Sequence, residues 1–153
     1  MVLKTKKLLA RLAHIAAPQV HIYFHNDESY YDHSEKSIYI DKEYEEDCGF
    51  MRHLCEVHKV PWAYKIHDYI WTVLHEVGHF YTYSKYVNSK KETAVRKYFA
   101  KKDFDTVNNS VKLQDLYYNL DSEYAATEYA IQFIKRHYKT MRKLSLYLSK
   151  IEG

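Results

Sequence analysis

Trp71-Thr72-Val73-Leu74-His75-Glu76-Val77-Gly78-His79-Phe80 sets a His-Glu-x-x-His motif inside an apolar run. On a helix, His75 and His79 lie one turn apart on the same face. Two imidazoles so placed can grip one Zn²⁺, with Glu76 beside them as a general base. Ile66, Ile70, Val73, Leu74, Val77 and Tyr81 recur at helical spacing around the motif, so the segment reads as a helix built to be buried. The plain alternative is a pair of hydrogen-bonded core histidines. It leaves Glu76 unexplained, because a carboxylate on a buried helix is costly unless something pairs with it or uses it.

The rest of the chain reads as support for that helix. Its 153 residues predict one domain over residues 1–153, long enough to bury a core. Three Gly and two Pro favour long helices over a turn-rich sandwich. The seventeen Tyr suit either a core or a peptide groove. The net charge of +3 is mild and its cations are spread along the chain, which argues against a nucleic-acid partner. The basic stretch Lys90 to Lys102 reads as a solvated helix face. No apolar run is long enough for a membrane span. Met1 to Ala10 has a signal-like charged start, but Arg11 and His14 interrupt its apolar part, so an amphipathic helix is expected. Cys48 and Cys55 imply no disulfide framework and read as small buried side chains in a cytoplasmic protein.

Residues 4–17 read as a helix with a Leu8, Leu12, Ile15 stripe, closed by Pro18. Gln19 to His25 alternates like a half-buried strand, with His21, His25 and later His33 as strand-surface and loop residues. After the turn Asn26 to Ser29, Ser37 to Asp41 is a second strand, giving a small antiparallel sheet ahead of the motif helix. Glu43 to Lys59 reads as a helix with acids in its first turn. Pro61 is placed to open the motif helix, expected from Trp62 to Lys85. Ser89 and Glu92 have the spacing of a capping box before a basic connector helix. Asp105 to Ser110 is a loop. From Val111 helical spacing resumes, with Asp121 or Ser122 able to cap a fresh helix. Met141 to Ile151 carries a Leu144, Tyr147, Leu148, Ile151 stripe that packs back onto the domain. The fold class is α+β and mostly helical.

A catalytic zinc takes three protein ligands. A third histidine at the short downstream spacing is excluded, because Thr82 and Lys85 stand where that pattern needs Gly and His. His137 lies at the far end of a helix and is a poor ligand. Among the acids Glu123 stands out, since Ala125, Ala126 and Ala130 let its helix approach the motif helix closely. Glu128 and Asp121 come next. Thr127 shares a face with Glu123 and can support a ligand through a hydrogen bond.

His75-Glu76-Val77-Gly78-His79 followed by Glu123-Tyr124-Ala125-Ala126-Thr127 and Tyr129-Ala130 resembles the zincin pattern H-E-x-G-H … E-x-x-A-(D/N)-x-(F/Y)-A. That pattern is shared by the ImmA/IrrE family of small metallopeptidases and by HtpX-type membrane proteases. The lack of membrane spans favours the former. The resemblance implies a zincin-like domain with one Zn²⁺ per chain on His75, His79 and Glu123, and Glu76 as catalytic base. It implies a protein or peptide substrate, a regulatory protein among the candidates. Thr127 departs from the family's Asp or Asn and cannot supply carboxylate charge to a ligand histidine. A domain of this kind that binds a partner without cutting it is therefore the alternative. Tyr117, Tyr118 and His137 are transition-state stabilisers by residue type alone. Tyr30, Tyr31 and Tyr39 suit the rim of a groove, with Ile38 to Ile40 as an edge strand for an extended peptide.

Overall fold

The computed structural model describes residues 1–43, 48–103, 106–107 and 109–153, with the side chains of Cys48 and Gly49 left aside. The fold is α+β and mostly helical. Helix α1 (Leu3–Ala16) buries Thr5, Leu9, Leu12, Ala13 and Ala16. This face is rotated from the expected stripe: Ile15 is exposed, and the small Ala13 and Ala16 turn inward instead. Pro18 follows directly, and its ring and missing N–H prevent another turn.

Strands β1 (His21–His25), β2 (Tyr30–Asp32) and β3 (Ser37–Asp41) form a sheet in the order β1-β3-β2. The sheet is mixed, not antiparallel throughout: β3 pairs parallel with β1 and antiparallel with β2. The chain reverses after β2 through a turn in which Lys36 has φ 49°, and β3 slots between its predecessors. Ile38 and Ile40 are fully buried on this central strand. They cannot serve as a peptide-binding edge, because both sides of β3 are already paired. The edge next to β3 is the short β2.

Helix α2 (Cys48–Glu56) follows. The acids expected in its first turn lie largely outside the described residues, as does the Cys48 side chain, and Cys55 is a half-buried free thiol, not a fully buried one. Pro61 opens a turn and a single 3₁₀ stretch (Ala63–Lys65), not the motif helix. Ile66 is extended, and helix α3 (Asp68–Tyr86) starts later, capped by His67, whose Nδ1 accepts the Tyr69 N–H at 3.2 Å. The Trp71 indole N–H donates to the Ala63 carbonyl at 3.0 Å and locks the turn onto the helix.

Helix α4 (Lys90–Ala100) is capped by the Ser89 hydroxyl, which accepts from Glu92 N–H. Of the expected 105–110 loop, residues 105 and 108 are not described; residues 106 and 107 are helical instead of loop, and Ser110 is the cap of the next helix, its hydroxyl accepting the Leu113 N–H. Helices α5 (Val111–Tyr118) and α6 (Asp121–Arg136) break at Asn119–Leu120. Leu120 is the cap residue and uses no side-chain bond, so neither Asp121 nor Ser122 caps α6. Helix α7 (Tyr138–Glu152) packs back against α1.

The most extensive helix packing is α3 against α6. A Cβ on Gly78 would lie 2.5 Å from the Ala126 carbonyl oxygen and 2.8 Å from its Cα. Two backbones thus nearly touch where the motif sits.

Candidate metal centre

Helix α3 supplies His75, Glu76 and His79, and α6 supplies Glu123 from its first turn and Thr127 one turn later. The Gly78–Ala126 contact draws Glu123 onto the histidines. His75 Nε2 lies 2.8 Å from Glu123 Oε2, His79 Nε2 3.2 Å from the same oxygen, and the two imidazole nitrogens are 3.1 Å apart. Among the described residues these three form the group of ligating side chains close enough to share one ion, and they could hold a metal. A tetrahedral ion with arms of about 2.0 Å separates its donors by roughly 3.3 Å, close to the spacing found. Three electron-rich atoms converging in a buried site also repel one another unless a proton or a metal cation lies among them. The residues fit a metal.

Thr127 Oγ1 donates to the Glu123 carbonyl at 2.9 Å, so at His75 Nδ1, 3.2 Å away, it accepts. This arrangement puts the proton on Nδ1 and leaves Nε2 free to ligate. Phe50 holds the other side of the His75 ring, edge-on at 5.6 Å. Glu128 faces away from the centre and pairs with His58 at 2.6 Å. Asp121 is exposed.

Glu76 is buried, and its Oε2 has no hydrogen-bond partner among the described residues. Burial pushes its carboxyl up to about 7; His75 opposes this, and Glu123 and Glu28 add to it. Glu123 behaves oppositely. Burial alone would raise it, but His79 and His75 outweigh that and hold it well below the usual carboxylate range. Two carboxyl groups on adjoining helices are therefore driven apart in acidity, the pattern that separates an acid–base group from a charge-bearing one.

Arg96 was not legible as a site residue. From α4 its Nη2 donates to the outer oxygen of Glu123 at 3.0 Å and to Ser122 Oγ at 2.9 Å. Glu92, four residues earlier, accepts the Ser122 N–H at 2.6 Å. The connector helix thus grips the first turn of α6 and fixes the Glu123 carboxylate from behind. The Glu92–Arg96 spacing was the available signal, but it reads as an ordinary surface pair.

Tyr117 stands beside Glu123 and Arg96; the Glu123 charge, then burial, hold its phenol well above its ordinary value. It stays protonated and able to donate. Tyr118 also lines the cleft, whereas His137 lies at the α6–α7 junction against Phe133 and is not part of the lining. The cleft over the three ligating groups measures about 1090 Å³, with Tyr30 and Tyr31 of β2 on its wall. Tyr39 is not part of the lining, but it stacks on Tyr30 at 4.8 Å. No described helix is long and apolar enough to cross a membrane. Comparisons with family models, with curated proteins and with solved structures find no match.

Proposed function

We propose that the protein is a zinc-dependent peptidase. The observation that carries this reading is the buried Glu76 oxygen, unpartnered among the described residues, next to His75, His79 and Glu123 in an open cleft. A two-histidine, one-carboxylate donor set suits Zn²⁺ in a catalytic centre. Zn²⁺, when bound there, supplies a Lewis acid that acidifies water and polarises a carbonyl.

The chain's own groups account for the remaining steps. Glu76, poised near neutrality by burial, takes the proton of the attacking water and returns it to the leaving amine. Tyr117 donates toward the oxygen that gains charge. Arg96 and Thr127 hold Glu123 and His75 in place, so little reorganisation is needed. The short-motif resemblance to ImmA/IrrE peptidases agrees with this assignment.

Thr127 supports the second reading, a domain that binds a protein partner without cutting it, because a hydroxyl lends a ligand histidine less basicity than a carboxylate. One experiment addresses both. Purified protein is assayed for bound metal and for cleavage of a fluorogenic peptide library, with a chelator control. Glu76→Gln should keep about one zinc per chain and lose at least about a hundredfold in cleavage. Undiminished cleavage by that variant would sink the peptidase assignment. Zinc without cleavage in the wild type would leave the binding module.

A further inference from the structure

The cleft is acidic in a chain whose formal charge is +3. Of the described residues that line it, nine are Asp or Glu and only two, Arg96 and Lys102, are cationic. Glu92 and Glu123 are engaged by Ser122, Arg96 and the histidines. Four other carboxylates gather at one end of the sheet: Asp27 and Glu28 in the β1–β2 turn, and Asp41 and Glu43 at the end of β3. Register places His25 opposite Asp41, and the Asp41 N–H donates to Ser29 Oγ at 2.9 Å, so the two segments are held side by side. Asp27 and Asp41 each accept a nearby backbone N–H at 2.8 Å. None of the four forms an ion pair with a Lys or Arg among the described residues.

Carboxylates collected in this way repel one another and draw in a cation. Two further observations say what kind. Glu28 lines the same cleft as Glu76, whose buried oxygen is unpartnered among the described residues. The acidic rim therefore adjoins the reacting centre. Tyr30, 39% exposed, lines the cleft too and is braced by Tyr39, which in turn stacks on Tyr23 at 5.3 Å. A ring braced in this way, in the same lining as these carboxylates, suits a Lys ammonium or an Arg guanidinium.

We propose that this cleft takes a cationic polypeptide segment, with a Lys or Arg side chain seated between Tyr30 and the rim formed by Asp27, Glu28 and Asp41. The assignment rests on the peptidase reading for identifying the cleft as the substrate site, but binding itself requires no cleavage.

The test uses the full chain carrying Glu76→Gln and three dye-labelled peptides of equal length: one rich in Lys and Arg, one neutral, one rich in Glu. Fluorescence anisotropy should show the cationic peptide bound at least about tenfold more tightly than the neutral one at low salt, with the gap narrowing as salt rises. Adding Asp27→Asn, Glu28→Gln and Asp41→Asn should remove most of that preference. The amide side chains can still accept the local N–H groups, and circular dichroism checks that the protein folds. Glu28→Gln alone, the mildest change, should narrow the gap measurably.

Equal affinity for the neutral or acidic peptide, or a preference that survives the triple change, would overturn the proposal. So would spermine binding as tightly as the cationic peptide, since charge alone would then suffice. If the Glu76→Gln protein prefers the cationic peptide and the wild type leaves it intact, the peptidase reading fails and this inference stands. Cleavage without charge preference gives the reverse.

Discussion

Thr127 has a single hydroxyl proton, and the Glu123 carbonyl takes it. The oxygen can then only accept from His75 Nδ1, which selects the tautomer with a bare Nε2 facing Glu123 and His79. Thr127→Val keeps the shape and removes both bonds. It should weaken zinc binding by about tenfold, read by competition with a chromogenic chelator. An affinity equal to wild type would show that the hydroxyl does not set the ring. His75, Glu76 and His79 could be picked from the motif spacing, Glu123 from the alanines around it, and Thr127 from its place one turn after Glu123 on the same helix face. Arg96 could not. Its contacts to Ser122 and Glu123 cross between helices, and no periodicity within one helix encodes them.

Gly78 explains how two helices bring those residues together. A glycine inside a helix costs about 1 kcal/mol relative to alanine, and here the missing Cβ is what lets α3 reach the backbone of α6. The alanines of α6 advertised a close approach; the glycine that meets them was read only as a letter of the motif. Gly78→Ala should destabilise the protein by about 1–3 kcal/mol, seen as a lower urea midpoint, and should loosen zinc binding by moving Glu123 off the histidines. The obstructing atoms belong to the Ala126 backbone, so Ala126→Gly should not rescue the variant. Rescue would mean that side-chain crowding, not backbone contact, sets the helix separation. The sheet was less legible. Tyr30 to Asp32 is too short to show alternation, and missing it concealed both the mixed pairing and which strand is the edge.

Across the whole molecule, the first and last helices act together on the site helix. Ser145 of α7 accepts the His67 N–H at 3.0 Å, just where α3 begins, and Leu9 of α1 and Leu148 of α7 are fully buried in the common core. Glu152 ties the two outer helices: it accepts the Val2 N–H at 2.9 Å and the Thr5 hydroxyl. The stripe on α7 told that this helix returns to the domain, but a bond between residues nearly a full chain apart leaves no local trace. Burial alone would raise the Glu152 carboxyl, yet the Thr5 and Val2 bonds outweigh it and hold the group below its ordinary 4.5. A carboxyl lowered by folding contributes stability that is fully present above its unfolded value and is lost as pH falls through the folded one. Glu152→Gln retains a neutral acceptor and loses only the charge. The variant should therefore be less stable than wild type by about 1 kcal/mol near pH 7, with the difference closing toward zero at an acid pH below the lowered folded value. Urea unfolding of both proteins at the two pH values measures it. A difference that stays constant with pH would place the effect in packing, and the charge of Glu152 would have no part in clasping the helices that support the candidate metal centre.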